Sequence, residues 1–336
     1  MSEHYVGIDV HKKWCVFTEI NSTGKVVRQS RFGNNFGEVL DFASSLTPNV
    51  HVVVEPVLNY LWLLDHIEPQ VGSVHVAAPQ KVRVIAESKR KTDKYDSRML
   101  AELLRVGFLP ESWIPPREIR VLRGQIRQRY HLVKLRGMNK NRIRHLTFQH
   151  GVDLRTSDVD SPKARREIKK LVIPSVTGHA IEQCLQTISL LNEQIEDIER
   201  SIWRSVKGDP AVELLKTIPG VAKVRSAIIY AEIGDINRFH SAKALASYTG
   251  LIPTIRSSGG SVWTGGVTRL GSRPLRHALV EAAISASRRA PRLVRMYRRI
   301  EYRKNAQTAR VAVAHKLAVI IYAMLRRNEP FHAEAA

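Results

Sequence analysis

The fold turns on residues 5–32, which read Tyr5-Val-Gly-Ile-Asp-Val10, then Trp14-Cys-Val-Phe-Thr-Glu-Ile20, then Val26-Val-Arg-Gln-Ser-Arg-Phe32. Each run is short and rich in β-branched and aromatic residues. Asn21-Ser-Thr-Gly24 supplies a hairpin loop between the second and third, so three consecutive strands are expected. The periodicity then changes. A helix near Phe36 to Leu46 leads to a strand at His51 to Val54, a helix near Tyr60 to Ile67, a strand at Val74 to Ala77 and a helix from Thr92 to Val106. Antiparallel strands followed by alternating β and α elements give a mixed sheet with helices packed on it, an α/β domain over residues 1–110.

Charge separates this domain from the rest of the chain. The 336 residues carry a net charge of +22, distributed as +1 over residues 1–110, +7 over 111–210 and +14 over 211–336. A nearly neutral front and an increasingly basic rear suit a protein that does chemistry with one part and holds a polyanion with the others. Cys15 and Cys184 form no paired spacing, which excludes a disulfide framework or a cysteine zinc site and points to a reducing compartment. No secretion signal precedes Tyr5. The longest apolar stretch, Val311 to Leu325, is short for a membrane span and holds His315 and Lys316. P-loop, dinucleotide, HExxH and nucleophile-elbow motifs are absent.

Pro110, Pro115 and Pro116 close the first domain. A long helix follows, about Arg117 to His150, with ten basic residues and only Glu118 acidic between Arg117 and Arg144. One of its faces is a positive stripe that includes Lys134 and Arg142. A second long helix places Ile181, Cys184, Ile188, Leu191, Ile195, Ile198 and Ile202 at alternating spacings of three and four. That heptad seam requires a partner helix, in this chain or in another subunit. From residue 211 to about 330 the pattern is mainly helical. Leu215-Lys-Thr-Ile-Pro-Gly-Val221 resembles a helix-hairpin-helix turn, with Gly220 positioned to grip a phosphate, and reads equally as an ordinary helix connection. Gly250 to Gly271 reads as a Gly-, Ser- and Thr-rich loop between a helix at Ala242 to Tyr248 and helices at Arg273 to Ala290 and Asn305 to Leu325.

Four acids stand out. Asp9 lies inside an apolar strand and Glu55 ends one, although carboxylates are depleted in strands. Ligands of α/β sheets gather at strand ends, and all-oxygen ligands suit Mg²⁺ or Mn²⁺. Asp93 and Asp96 share one face of the following helix with Leu100, in line with its core-facing stripe. Singly, each acid reads as a solvated strand end or a helix-terminus residue. Together they bring enough negative charge to hold two divalent ions for in-line phosphoryl transfer. A second group, Arg256-Ser-Ser-Gly-Gly-Ser261 with Arg269, Arg273 and Arg276, offers close backbone approach and bidentate phosphate donors. Ser257, Ser258 and Ser261 read as a glycine-serine turn or as candidate nucleophiles, and Ser272 as a helix N-cap.

Gly7-Ile-Asp-Val10, Val54-Glu-Pro56, Lys91-Thr-Asp-Lys-Tyr-Asp-Ser97, Gly250-Leu-Ile-Pro253, Ser258-Gly259 and Thr268-Arg-Leu-Gly-Ser-Arg-Pro-Leu-Arg276 resemble, in order and spacing, the DEDD transposases of bacterial insertion sequences, the IS one-ten family. The resemblance implies an RNase H-like (RuvC-like) domain, a coiled-coil connector over 111–210 and a mainly α transposase domain over 211–330. It matches Asp9, Glu55, Asp93 and Asp96 to an acidic tetrad that binds Mg²⁺ or Mn²⁺, and Ser258 to a serine that attacks DNA, with Ser257 as the alternative register. It further implies donor and target DNA as substrates, a structured noncoding bridge RNA as guide, a dimer or tetramer joined through the coiled coil, and a cytoplasmic, nucleoid-associated location. Gly-Ser-Arg stands where the family often has Gly-Asn, at the cap of the following helix. A metal-dependent nuclease of the Holliday-junction-resolving kind and a noncatalytic nucleic-acid scaffold are the competing expectations.

Overall fold

The three N-terminal runs form β1 (His4–Val10), β2 (Trp14–Asn21) and β3 (Val26–Gly33), each within a residue of the sequence expectation. The structure is a computed structural model and describes residues 2–57, 59–79, 81–82, 92–154, 159–258, 261–268 and 271–333. The chain divides into two compact units, Met1–Ile114 and Pro115–Ala336.

In the first unit β4 (Val50–Val54) and β5 (Ser73–Val76) complete a five-stranded sheet in the order β3-β2-β1-β4-β5. β1, β2 and β3 pair antiparallel, whereas β4 lies parallel to β1 and β5 parallel to β4. Strand alternation sorts the two faces. Val6, Ile8, Val10, Val52 and Val54 bury one face against α1 (Phe36–Ser44) and α2 (Tyr60–Ile67). Gly7, Asp9 and Val53 belong to the opposite face, where α3 (Asp93–Arg105) packs through Leu100.

Gly7 sets how closely α3 approaches. A Cβ at that position would overlap the Ser97 carbonyl oxygen and lie 2.6 Å from the Ala101 nitrogen. Helix backbone therefore rests directly on strand backbone, which only glycine permits. Two hydrogen bonds, the first of them buried, then fix the helix against the sheet. Thr18 Oγ1 and Ser97 Oγ share one of 2.8 Å, and Gln29 Nε2 donates to the Lys94 carbonyl at 3.2 Å.

The second unit opens with α4 (Arg117–Phe148) and, after the short α5 (Pro162–Lys169), continues with α6 (Ser175–Val206). Arg129 to Glu199, Arg136 to Asn192 and Ile143 beside Ile181 descend along one helix as they climb the other, so α4 and α6 run antiparallel. Ile181, Ile188, Leu191, Ile195 and Ile202 are buried. The partner helix that the seam demands is α4 of the same chain.

The ends of this pair enter a larger core with α7 (Pro210–Lys216), α8 (Lys223–Ile233), α9 (Ala242–Thr249), α10 (Arg273–Arg289), α11 (Pro291–Arg303) and α12 (Ala306–Arg327). α12 is long and apolar enough to cross a membrane by composition, and it spends that apolarity on the core through Val313, Leu317 and Ile321.

Several elements were not expected from the sequence, the short α5 among them. Part of the Gly250 to Gly271 loop is a hairpin, β6 (Pro253–Ser258) paired with β7 (Ser261–Val267). α11 fills residues given no element, because Pro291 sits in its first turn, where proline's missing N–H has no helical partner to lose.

Gly7→Ala should destabilise the first unit by about 2 kcal/mol or more, since the overlap is with backbone, which moves only if the helix does. The expected readout is a lower thermal unfolding midpoint together with weaker Mn²⁺ binding, because a shifted α3 carries Asp93 and Asp96 away from Asp9.

Candidate active site

Asp9 is the penultimate residue of β1 and is 7% exposed. Chain parity puts it on the α3 face, two residues beyond Gly7. Thr92 caps α3, accepting a hydrogen bond from the Tyr95 amide, so the helix begins with Asp93 and Asp96 in its first turn, where the dipole favours them. The close seating at Gly7 aims that first turn at the end of β1. Glu55 follows β4, and its amide donates to the Ile8 carbonyl at 3.2 Å, which holds the strand end beside Asp9.

The tightest grouping includes a residue missed in the sequence. His11 Nε2 lies 3.2 Å from Asp9 Oδ2 and 3.2 Å from Asp93 Oδ2, and donor atoms of the three residues all fall within 4.8 Å of one another. His11 is two residues after Asp9. The alternation that groups Gly7 with Asp9 extends to it, and that parity was the available signal.

Burial pushes the Asp9 carboxyl up to about 6. His11 acts against this rise, while Glu55, Asp93 and Asp96 each add to it. The other three acids singled out in the sequence therefore all act on Asp9, with Asp9, His11 and Asp93 in direct reach. The donor set fits a divalent cation: Asp93 and His11 stand beside the buried Asp9, and the buried His11 Nε2 makes no well-aligned hydrogen bond among the described residues. Like charges at this spacing oppose ionisation, and a cation at their centre reverses the sign of that interaction.

Ser258 belongs to the second unit, where its backbone ends β6 opposite Ser261, as Ser257 pairs with Val262 and Arg256 with Trp263. Arg269, Gly259 and Gly260 lie outside the described residues. The base of the hairpin is firmly tied. Gly250 ends α9 in a left-handed conformation (φ +67°), Thr268 N donates to the Ile252 carbonyl at 2.9 Å, and Ser272 N donates to the Tyr248 carbonyl at 3.0 Å. Ser272 caps α10, as its sequence context implies, and its hydroxyl also donates to the buried Glu232 at 2.9 Å. Trp263 on β7 is 74% exposed.

The residues singled out for nucleic-acid contact divide into two kinds. Lys134 and Arg142 are exposed on α4, and Arg273 is exposed at the start of α10. Arg276 donates to the Thr249 carbonyl at 3.2 Å, which closes the C-terminus of α9. Gly220 has φ +89° and lies against α10, so that a Cβ would meet the Ser285 side chain at 2.5 Å. A further basic surface is new with α11: Arg292, Arg295, Arg299 and Arg303 recur every three or four residues on its exposed side, beside Tyr302 at 94% exposure.

Residues 6–149 match a family model of DEDD transposases of the IS110 type, described as "Transposase", and residues 212–298 match "Transposase IS116/IS110/IS902 family". The chain is 27% identical to the pilin gene-inverting protein of Moraxella lacunata, over 98% of each chain. It is 27% identical to the transposase for insertion sequence element IS1111A of Coxiella burnetii, over 77% of this chain and 72% of that protein. With the transposase for insertion sequence element IS1328 of Yersinia enterocolitica the identity is 24%, over 97% and 98%. The strand order of the first unit is consistent with an RNase H-like DEDD domain.

Asp9→Asn should stabilise the metal-free protein. A carboxyl raised to about 6 in the folded state lends stability below its unfolded value near 3.8 and loses it as pH rises through 6. At pH 7.5 in chelator the variant's unfolding midpoint should exceed that of wild type, by the equivalent of up to about 3 kcal/mol. The gap should close toward pH 4, and saturating Mn²⁺ should raise the midpoint of wild type alone.

Proposed function

Because this chain belongs to the IS110/IS116 family of transposases and is thus a DNA-cutting and DNA-joining enzyme, we propose that Asp9, Glu55, Asp93 and Asp96, with His11 beside them, form its divalent-metal centre and that Ser258 is its nucleophile. The convergence of Asp9, His11 and Asp93 within 4.8 Å at the end of β1 carries this reading. Bound Mg²⁺ or Mn²⁺ would supply Lewis-acid stabilisation of charge on the phosphoryl oxygens in transfer.

The chain's residues supply the rest. Ser258 Oγ attacks a DNA phosphorus; an O–P bond to serine forms as a bond from phosphorus to a sugar oxygen breaks, and the serine proton ends on the departing oxygen. The serine ester conserves the energy of the phosphodiester, so the reverse step on a new strand needs no nucleotide triphosphate. Absence of a P-loop agrees with this. A relative named for inverting a pilin gene also supports rejoining as well as cutting.

DNA backbone is held by exposed cations of the second unit, Lys134, Arg142 and Arg273 among them, with Arg256 and Arg269, which flank Ser258 in the sequence, contributing. Gly220 and Arg276 support that surface from within, through packing and the α9 terminus. Sequence choice is assigned to a structured noncoding RNA. Large positive charge with 7% aromatic residues suits backbone binding while base pairing reads the target. The enzyme works in the cytoplasm on chromosomal and element DNA. Subunit assembly as a dimer or tetramer would use the outer faces of α4 and α6, since their shared seam is filled within the chain.

Asp96→Asn should reduce cleavage at least about 100-fold while leaving DNA affinity within a factor of two, because the binding charge lies in other residues. Parallel loss of affinity and cleavage would overturn that separation. In the same reaction, with the element's RNA and labelled donor DNA, wild type should leave a denaturation-resistant protein-DNA adduct, and Ser258→Ala should leave none. Undiminished cleavage by Ser258→Ala without an adduct would assign the chemistry to the acids alone.

A further inference from the structure

The unit Pro115–Ala336 contains a cavity of about 960 Å³ between α4, the start of α8 and the start of α10. Its apolar and aromatic lining is built from Tyr130, Val133, Val224, Ile228 and Pro274, with the exposed His277 ring beside Tyr130. Tyr130 and His277 meet edge to face, with ring centroids 5.7 Å apart at 89°. Its rim is basic, with Arg127, Lys134, Lys223 and Arg273.

The rim charge is largely unspent. Glu199 accepts a 2.6 Å hydrogen bond from Arg129, and Glu281 faces Arg225 at 4.0 Å, so each rim acid already has a cation. Arg127, Lys134 and Arg273 are exposed and form no ion pair among the described residues. Lys223 stands over the Trp203 ring at 5.3 Å. The first turn of α8 also opens here behind Ala222, which offers no side-chain cap, and its free amides add partial positive charge.

An apolar lining within a basic rim is a poor match for phosphates alone, which call for donors or water on every side. It suits a unit that is flat and apolar at one end and anionic at the other. Cavities of this volume take small-molecule-sized groups, and aromatic or apolar surfaces under cationic grooves hold the face of a nucleobase. A base in a duplex keeps its faces stacked, so the occupant has left the helix. Strands that are cut from one duplex and joined to another must do so.

We propose that this cavity holds one unpaired nucleotide of a DNA strand, its base on the Tyr130–His277 pair and its flanking phosphates on Arg127, Lys134 and Arg273. The proposal rests on the family's action on DNA and is independent of the acidic centre and of Ser258.

Its test is run in chelator, so that failure of the metal or serine assignments leaves it unaffected. The full-length protein is titrated with a single-stranded DNA carrying 2-aminopurine, with the same DNA as a paired duplex, and with the same sequence as RNA. Wild type should bind the single-stranded DNA more tightly than either competitor and change the 2-aminopurine fluorescence. His277→Ala should weaken single-strand binding about fivefold or more, remove the fluorescence change and leave duplex affinity and salt dependence as they were. Arg127→Ala combined with Lys134→Ala, both on exposed surface, should lower the salt slope by about 0.7 for each charge removed. Equal losses on duplex and single strand, or no fluorescence change in wild type, would overturn the proposal in favour of a backbone contact. RNA binding as tight as DNA binding would overturn its assignment to DNA.

Discussion

The missing side chain at Gly7 is the constraint that brings the acids of the first unit together. It lets α3 rest on β1 backbone to backbone, with Thr18, Ser97, Gln29 and the Lys94 carbonyl fixing the helix against the sheet. A helix seated a few ångströms higher would bury Leu100 less well and lift Asp93 and Asp96 off the strand end. Packing and chemistry thus share one contact. The same contact works against the apo state, because it presses carboxylates towards a buried Asp9 whose charge they oppose. His11 offsets part of that repulsion, and a divalent ion would convert the remainder into binding energy.

Much of this was legible before the fold was known. β-branched runs and alternation yielded the strands, and the presence of acids in such runs singled out Asp9 and Glu55. The i, i+3 spacing of Asp93 and Asp96 put them on the sheet-facing side of α3. His11 was less visible because it follows the strand, carries no obligate charge, and gains meaning only when β1 parity is extended past Val10. Gly-rich composition hid the β6–β7 hairpin, although the sequence sets Gly259-Gly260, a dipeptide typical of two-residue turns, between the good strand formers Thr254-Ile255 and Val262-Trp263-Thr264. Pro291 hid α11 by reading as a stop when it was a start. The α6 seam announced that a partner was needed, but its identity is a tertiary fact. α4 supplied it from a sequence whose basic residues masked its apolar positions.

Charge is the quantity that sequence counting overstates. The rear of the chain carries most of the +22, yet several of those arginines serve backbone carbonyls. Arg123 is buried and donates to the Ala231 and Glu232 carbonyls at 2.8 and 3.0 Å. Arg238 donates to the Ile233 and Glu232 carbonyls at 2.8 and 3.2 Å, and Arg276 closes α9 through Thr249. These are the orphan acceptors that every helix C-terminus leaves, and satisfying them with guanidinium groups removes donors from the surface.

What remains is sparse enough to have a shape. Arg127, Lys134 and Arg273 gather around the rim of a concave apolar lining, while the arginines of α11 run along an exposed helix face. A convex stripe of charge can follow a continuous phosphate backbone at many registers. A cavity with unpaired exposed charge around apolar residues admits a single unit at a time and prefers one whose centre is apolar. The two surfaces therefore present different chemistry to the same polyanion, and their difference lies in the apolar residues between the charges, which no count of lysines and arginines records.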